Sequence, residues 1–488
     1  MDQNDVPKGY NTPIPAKITT PDQVETSLGT LEFSDGVPSL DTSEKLFRNL
    51  DLMRGVEVFL NCIGPASMEA LRRGHAQIGV DANHTFGIMD LLLDSDPLFL
   101  TGNTDTVYCS GFIDLKDGPL VVEIPPGCGP GTVNDAWFRF VIDMGGPGPD
   151  RGQGGKYLIL PPDYEGEEPE GYFVARSRSY SNWIILRGFL VDGGPEASTR
   201  MFKEGLRVYP LGQAEAAPEM EFIRASKRQF NTIHANDEGF FDEIAPVIAR
   251  EPVDMIDPET RGLLASIGIH MDKPFAPDER MQAILVEAAA IGNATARALF
   301  FKNRDEGFLR YDDRQWHTFF IGDDYRWLRD DGRGGRHLDA RSLFFYVATV
   351  NTPAMALKLI GIGSQYCGTS KDAAGDYLDG GEMYRVRLPA GVPAKRFWSL
   401  CAYDTQTRSE LQTPQFYPSR NNAREGLEFN ADGSCDIYFG PEAPAEKASN
   451  WIQTVPGKGW FAVLRLYGPL ESWYDHTWRP GDIEKIQV

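Results

Sequence analysis

Short apolar runs separated by Gly and Pro fill two stretches of the chain, residues 98–192 and 376–480. Such runs at short intervals predict antiparallel strands that pack into a sandwich or barrel. At 43–74 and 194–305 the apolar residues instead recur at helical spacing. Because a chain of 488 residues exceeds what one ordinary core can serve, two or three domains are expected. The pattern therefore predicts two antiparallel β modules bridged by helices.

The same switches in pattern divide the chain into four parts. We predict an N-terminal arm with helices at 1–97, a β domain at 98–193, a helical and mixed connecting region at 194–375, and a second β domain at 376–488. Thr42 or Ser43 is expected to cap the first helix, and Pro258 to stand in the first turn of a later one. A charged, Gly-rich loop spans Arg329–Arg336.

The charge of the chain excludes two classes of partner. Seventy acidic residues against 48 basic ones give a net charge of −22. Nucleic acid and anionic membranes need a basic surface, so neither is an expected partner.

No run of about 18 apolar residues is present, so we expect no membrane span. The start of the chain does not resemble a signal peptide, which predicts a cytoplasmic location as written, or a periplasmic or secreted one if a signal was removed. A homo-oligomer is compatible with these features.

Cysteine and histidine spacing gives no sign of a metal or disulfide framework. The six cysteines contain no C-x-x-C, and the seven histidines contain no H-x-H or H-E-x-x-H. The alternating polar residues from Asn430 to Asp436 lack the final Glu of a calcium loop, so we predict a plain hairpin turn there. Phosphate-loop, dinucleotide and serine-hydrolase motifs are also missing. We therefore expect no metal and no cofactor.

Polar residues concentrate in a block from Gly102 to Tyr108, with the sequence G-N-T-D-T-V-Y. On a strand, Asn103 and Asp105 would share one face and could offer an amide and a carboxylate to a hydroxyl-rich ligand or a cation. The alternative is a turn in which these side chains cap backbone groups. Both interpretations stay open at this point.

Two arginines lie within otherwise apolar strands. Arg187 interrupts W-I-I-L-R-G-F-L-V, and Arg465 interrupts A-V-L-R-L-Y. A buried charge needs a partner, so Arg187 could pair with Asp105 and Arg465 with Asp404. The alternative for Arg187 is a ligand carboxylate or phosphate, held by the planar guanidinium group.

Aromatic residues are dense in the second β stretch. They are Trp398, Tyr403, Trp451, Tyr467 and Trp473. Such residues form stacking surfaces for sugar rings, and they equally fill the core of a sandwich.

The run N-T-D-T-V-Y, followed by P-L-V-V-E-I-P-P, G-G-K-Y-L-I-L-P-P and W-I-I-L-R-G-F-L-V-D, resembles the domain of unknown function 1254. The later run F-W-S-L-C-A-Y-D, N-A-D-G-S, N-W and L-R-L-Y-G-P resembles its companion, the domain of unknown function 1214. The resemblance implies a bacterial-type protein with two jelly-roll-like β-sandwich domains, giving a β-rich α+β fold joined and flanked by helices. It implies no settled reaction.

Two functions of different classes follow from these residues. The first is an enzyme, a hydrolase or lyase acting on a small-molecule or glycan-like substrate in a pocket of the N-terminal β domain or between domains. Its candidate catalytic residues are Asp105, Tyr108 and Arg187. Its candidate substrate-binding residues are Asn103, Trp398, Tyr403, Asp404, Trp451 and Arg465. The alternative is a non-catalytic carbohydrate-binding protein that uses its aromatic surfaces.

Overall fold

The computed structural model describes residues 14–424 and 426–487. Helices concentrate before the first β stretch and between the two. They are α1 (Leu40–Asn61), α2 (Ile63–Gln77), α3 (Glu196–Gly205), α4 (Gly239–Arg250), α5 (Pro258–Ser266), α6 (Glu279–Phe301), α7 (Leu338–Val347), α8 (Pro353–Ala356) and α9 (Glu471–Tyr474).

The strands of the first half of the chain are short and mostly antiparallel. They are β1 (Gln23–Thr26), β2 (Gly29–Ser34), β3 (Val37–Pro38), β4 (Thr85–Ile88), β5 (Thr106–Asp114), β6 (Leu120–Ile124), β7 (Pro130–Asp135), β8 (Phe140–Gly145), β9 (Gly155–Leu160), β10 (Phe173–Arg176), β11 (Ser181–Phe189), β12 (Arg207–Pro210) and β13 (Glu221–Arg224).

The remaining strands lie in the second half of the chain, from residue 364 onward. They are β14 (Ser364–Thr369), β15 (Tyr384–Leu388), β16 (Ala394–Asp404), β17 (Ser419–Asn421), β18 (Cys435–Gly440), β19 (Trp451–Gln453), β20 (Trp460–Pro469) and β21 (Ile483–Lys485).

Strands β4 to β13 build two sheets, which we call the N-terminal β region. One sheet has the order β10-β9-β6-β12, and the other β13-β4-β5-β11-β7-β8. Apolar residues from both sheets meet in one core, including Val122 and Tyr157 from the first and Val107 and Leu186 from the second. The pairs β10/β9 and β13/β4 are parallel, and the others in this region are antiparallel.

Strands β14 to β21 build the C-terminal β region in the same way. Its sheets have the orders β14-β20-β16-β17 and β19-β18-β15-β21, and their facing residues form a second core. Of these pairs β18/β19 is parallel and the rest are antiparallel. The predicted β-rich α+β class is confirmed. The jelly-roll topology stays a prediction.

A third and larger core lies between the two regions and includes the helices. In β20, Ala462 and Leu464 face the C-terminal core, whereas Phe461 and Val463 face this central core. In β11, Leu186 faces the N-terminal core and its neighbour Ile185 the central one. Because side chains alternate along a strand, the next odd-numbered positions, 187 and 465, also point toward the space between the regions.

The structure places several elements differently from the sequence prediction. Ser39, and not Thr42 or Ser43, caps α1 by accepting from the Thr42 backbone N–H. Pro258 does stand in the first turn of α5. Strands β12, β13 and β14 lie inside the stretch 194–375 that the pattern assigns to the connecting region. Each has only four to six residues, too few to show a period against the helical pattern around them.

Helix α6 is long and apolar enough, by length and composition alone, to cross a membrane. No such segment was expected from the sequence, which has no run of about 18 apolar residues. In the fold, α6 packs along α1, and Leu285, Ala289 and Phe300 lie in the central core. These contacts are those of a core helix.

Candidate functional site

The segments that carry the two family resemblances, one from each half of the chain, meet between the β regions. The loop from Thr101 to Asp105 leaves the N-terminal region just before β5 and lies on the inner face of the C-terminal sheet. Arg465 of β20 donates from Nη2 to the carbonyl oxygens of Thr101, at 2.6 Å, and Gly102, at 3.0 Å. The Asn421 side chain of β17 donates to Asp105 Oδ1 at 2.7 Å. The loop is therefore held by residues from the other end of the chain.

Asn103 organises this loop from within. Its Oδ1 accepts from the backbone N–H of Asp105, at 2.9 Å, and of Thr106, at 3.1 Å, and from the Thr106 hydroxyl. Its Nδ2 donates to the Tyr108 hydroxyl at 2.6 Å. The capping role that the sequence left open is thus present, and the same amide also orients Tyr108.

A small cavity of about 40 Å³ lies beside this loop. By volume it holds roughly three water molecules, or the head group of a small ligand. Its polar lining consists of Thr101, Asn103, Tyr108, Arg187, Thr349, Tyr366 and Arg465. Its apolar lining includes Phe99, Ile185, Phe319, Phe320, Phe344, Val350, Met355 and Val463. Part of the cavity lining is therefore cationic and hydrogen-bonding, and the other part is hydrophobic.

Arg187 and Arg465 enter the cavity in equivalent ways. Arg187 of β11 lies opposite Tyr108 of β5, and Arg465 of β20 lies opposite Tyr366 of β14, each across an antiparallel pair. The Arg187 guanidinium carbon is 5.5 Å from the Tyr108 ring centre, and that of Arg465 is 5.9 Å from the Tyr366 ring centre. Each β region thus contributes one arginine and one tyrosine to the same space.

Both arginines are buried without an ion-pair partner among the residues that the structure describes. Arg187 is 7% exposed and Arg465 is 3% exposed. Nε of Arg187 and Nη1 of Arg465 have no hydrogen-bond partner. The suggested pair of Arg187 with Asp105 is absent, because Asp105 is instead bound by Asn421. The suggested pair of Arg465 with Asp404 is also absent, because Asp404 Oδ2 contacts Lys458.

The Tyr108 hydroxyl is available as a hydrogen-bond donor at the cavity. Its hydroxyl oxygen accepts from Asn103 Nδ2 and, at 3.3 Å, from the Asn103 backbone N–H. With both lone pairs used, the hydroxyl can only donate toward another group. Burial raises the pKa of Tyr108, and the charges of Arg187 and Arg465 oppose that rise. The hydroxyl is therefore protonated at neutral pH.

Backbone strain is concentrated at the same place. Thr101, with φ of 38°, and Val350, with φ of 70°, are the β-branched residues with positive φ in the described chain. Both line the cavity. A β-branched residue in this region costs about 1–3 kcal/mol, and such costs gather at functional sites.

Asp105 is close to this network but does not line the cavity. It is 1% exposed, and its Oδ2 has no partner. Its negative charge raises the pKa of the nearby buried hydroxyl of Tyr467, after the larger effect of burial. Asp105, a candidate catalytic residue from the sequence, is therefore not assigned a catalytic role.

The other sequence candidates lie elsewhere. Trp398 is buried in the C-terminal core, and Tyr403 is fully buried with its hydroxyl bound to the Gly102 carbonyl. Trp451 is half-buried, and its indole N–H donates to the Gly440 carbonyl at 2.9 Å. Neither Trp398 nor Tyr403 can present a ring to a sugar on the surface.

Two polar residues of this region were missed from the sequence. No motif marks Tyr366 in the sequence. A weak sign of its equivalence to Tyr108 is that Tyr-Cys occurs at 108–109 and again at 366–367. In the same way, Leu-Arg occurs in both β11 and β20. Glu410 is 2% exposed, and neither carboxyl oxygen has a hydrogen-bond partner. Burial raises the pKa of Glu410 well above its usual value, and Arg465 opposes this.

Metal chemistry has no visible ligand set here. Among residues 14–424 and 426–487, no group of three His, Cys, Asp or Glu side chains is placed to hold an ion. The segment from Asn430 to Ser434 is a turn, closed by the Asn430 N–H on the Ser434 carbonyl at 2.8 Å, with Gly433 at φ of 80°. All six cysteines are buried and free.

Two known protein families match this chain, one in each half. The family described as "Protein of unknown function (DUF1254)" matches residues 83–210, and "Protein of unknown function (DUF1214)" matches residues 363–471. They occur in the order that the sequence resemblance predicted, which is thereby confirmed. No match was found among curated proteins.

Two solved structures share much of the chain's length. The VPA0106 protein from Vibrio parahaemolyticus is 17% identical, with a TM-score of 0.56, and the alignment covers 90% of this chain and 100% of that one. An uncharacterized protein from Burkholderia cenocepacia is 12% identical, with a TM-score of 0.40, over 92% and 96% of the two chains. The first likeness supports the overall fold over the 90% of this chain that it covers.

Proposed function

We propose that this chain, which carries the DUF1254 and DUF1214 domains in that order, binds a small carboxylate between its two β regions. The observation that carries the proposal is the pair Arg187 and Arg465. Two permanently charged groups are buried at one cavity, and each has a nitrogen without a partner. An isolated buried charge is unfavourable, so an anion is the natural occupant.

The chemistry of the lining narrows the ligand to a carboxylate or a similar oxyanion. Guanidinium groups bind such groups through paired N–H donors, and the Tyr108 hydroxyl supplies a further donor. The apolar lining, with Phe319, Phe344 and Met355, suits a short hydrocarbon substituent. At about 40 Å³ the space fits a carboxylate head group and is too small for a sugar ring. Of the two ligand classes considered from the sequence, the size of the cavity therefore favours a small molecule over a glycan-like compound.

A second candidate is catalysis of the hydrolase or lyase class. The observation that favours it is Tyr108, which lines the cavity and whose raised pKa keeps its hydroxyl protonated. In a hydrolysis, water would bond to the carbon that bears the leaving group while the bond to that group breaks and Tyr108 gives the departing atom its proton. The proton released by the attacking water would then restore the Tyr108 hydroxyl. In this scheme Tyr108 is the catalytic residue, the two arginines hold the substrate, and Asn103 orients Tyr108.

The binding proposal is tested by thermal unfolding with acetate and with acetamide, which has a similar shape and no charge. We expect acetate to raise the melting temperature and acetamide to leave it unchanged, because only the anion meets the two guanidinium groups. Arg187→Met should remove the acetate effect, whereas Arg151→Gln, at an exposed position in the loop after β8, should keep it. An equal response to both compounds, or a full acetate response in Arg187→Met, would contradict the proposal.

The catalytic candidate has a separate test. Tyr108→Phe removes the proton donor and leaves both arginines in place, so acetate should still stabilise the variant. Turnover of small carboxylates that bear a leaving group on the neighbouring carbon should be lost. If Tyr108→Phe turns such a compound over at the wild-type rate, Tyr108 is not the acid.

A further inference from the structure

A second, larger cavity opens on the other side of the wall that closes the first. Its volume is about 780 Å³, within the range of roughly 300–1,000 Å³ that is usual for organic ligands. The two cavities share a thin aromatic partition: Phe320 lines the inner one and Trp327 the outer one, and their rings stack 5.3 Å apart. We call this second space the outer cavity.

Six arginines and two aspartates line the outer cavity. They are Arg139, Arg178, Arg261, Arg326, Arg336 and Arg341, with Asp254 and Asp257. This composition is the reverse of the chain as a whole, in which acidic residues outnumber basic ones by 22. A concave cationic surface on an acidic protein focuses the field and attracts anions to one place.

Ion pairs inside the fold account for only part of this charge. Asp135 pairs with Arg139 at 2.7 Å, and Asp324 pairs with Arg326 at 3.0 Å. Over residues 14–424 and 426–487, the other four arginines form no ion pair. Even for Arg139, Nη2 is buried without a hydrogen-bond partner.

The two lining aspartates do not balance the four remaining arginines. Asp257 is already used as the cap of α5, where it accepts from the backbone N–H and the hydroxyl of Thr260. Arg261 donates to the backbone carbonyls of Val253 and Ile256, which do not neutralise its charge. The cavity therefore keeps an excess of positive charge.

The arginines also repel one another. Burial, together with the charge of Arg336, lowers the pKa of Arg341 to about 10. Burial likewise lowers the pKa of Arg336, with Arg139 and Arg178 adding to the effect. A bound polyanion would relieve this repulsion.

The walls between the arginines are aromatic. Trp137 and Phe140 are half-buried, and Tyr325 packs edge-on against Phe140 at 5.5 Å between ring centres. Flat apolar surfaces alternating with guanidinium groups suit a ring system that carries charged substituents.

We propose that the outer cavity binds an organic polyanion, a ring or other flat framework bearing two or more carboxylate, sulfate or phosphate groups. Arg178 and Arg336 act as its anchors: solvent reaches both side chains, although the Arg336 guanidinium is partly buried, and neither forms an ion pair within residues 14–424 and 426–487. The site stands on residues different from those of the inner carboxylate site and does not depend on it. It also gives a role to the charged loop at Arg329–Arg336, whose last residue is one of the anchors.

The probe for this site is pyrenetetrasulfonate, a flat fluorescent polyanion, with neutral pyrenemethanol as its control. Fluorescence anisotropy at low ionic strength should show saturable binding of the sulfonate and none of the alcohol. Arg178→Gln and Arg336→Gln should each weaken binding roughly tenfold, as the loss of one charge-assisted contact does. Arg151→Gln removes an exposed arginine elsewhere and should bind like the wild type.

Two results would overturn the proposal. One is binding of the sulfonate with equal affinity by Arg178→Gln, Arg336→Gln and Arg151→Gln, which would show general attraction to surface charge. The other is a lack of saturable binding by the wild type at low ionic strength. Arg187→Met should bind the sulfonate normally, so failure of the inner site and failure of the outer site give different results.

Discussion

The Tyr403 hydroxyl donates a hydrogen bond to the carbonyl oxygen of Gly102. The same carbonyl also accepts from Arg465, so two donors of the C-terminal sheet fix the first residue of the N-terminal signature loop. Gly102 is packed so closely that an added Cβ would lie 2.1 Å from the Leu93 side chain. The position of this loop, and with it the shape of the inner cavity, is set by contacts between the two β regions.

Tyr403→Phe removes one of these donors without changing the packing. We expect the free energy of unfolding to fall by about 1–2 kcal/mol, the usual cost of leaving a buried acceptor short of a partner. The acetate-induced rise in melting temperature should become smaller, because the loop that lines the cavity is held less firmly. Tyr438→Phe is the matched control, at a half-buried tyrosine of β18. Equal stability of the two variants would contradict this account of Tyr403.

Arg187→Met and Arg465→Met should change stability in opposite directions in the absence of a ligand. Arg187 forms no ion pair within the described chain, so replacing it by an apolar side chain should stabilise the protein by about 1–3 kcal/mol. Arg465 bonds the carbonyls of Thr101 and Gly102, so its loss should cost about 2–4 kcal/mol. Urea unfolding of dialysed protein measures both. A destabilised Arg187→Met protein would show that Arg187 has a structural partner.

Asp105→Asn should leave carboxylate binding intact. The amide oxygen can still accept from Asn421, and the changed group does not line the cavity. Because Asp105 forms no ion pair with Arg187, we expect the free energy of unfolding to change by less than about 1 kcal/mol. Melting curves with and without acetate provide the measurement. If the variant keeps its stability but no longer responds to acetate, the Asp105 charge belongs to the site after all.

Glu410→Gln should alter how stability depends on pH. The pKa of Glu410 is raised well above 4.5 in the fold, so above pH 4.5 the folded chain holds a proton that the unfolded chain has released. Stability therefore declines as the pH rises from that value toward the folded pKa. Glutamine carries no such proton, so its advantage over the wild type should grow between about pH 5 and about pH 8. Urea titrations at the two pH values test this, and parallel pH profiles would contradict it.

The sequence predicted the strand and helix zones because their periods differ over many residues. It did not predict β12 to β14, which are too short to show a period. Arg187 and Arg465 stood out because a charge interrupts an apolar strand. Their expected partners were wrong, since a sequence shows that a charge needs a partner but not which strand faces it. Trp398, a candidate substrate-binding residue from the sequence, lies in the C-terminal core, which is the alternative that the sequence left open for the aromatic residues.

Tyr366 and Glu410 show a second limit of prediction from the sequence. Each becomes notable only through neighbours far away in the chain, and no local pattern marks them. The arginines of the outer cavity are similar: Arg139, Arg178 and Arg261 come from three separate segments, so their shared charge is visible only after folding.

The division of the inner site between the β regions has a consequence for assembly. Arg187 and Tyr108 come from one region, and Arg465 and Tyr366 from the other, so neither half alone can surround an anion. The proposed carboxylate site is complete only when both β regions have folded and packed together. A ligand bound there stabilises that final state and no earlier one. Occupancy of the cavity would thus report completed folding, and a chain cleaved between its halves would lose the ligand before it lost its strands.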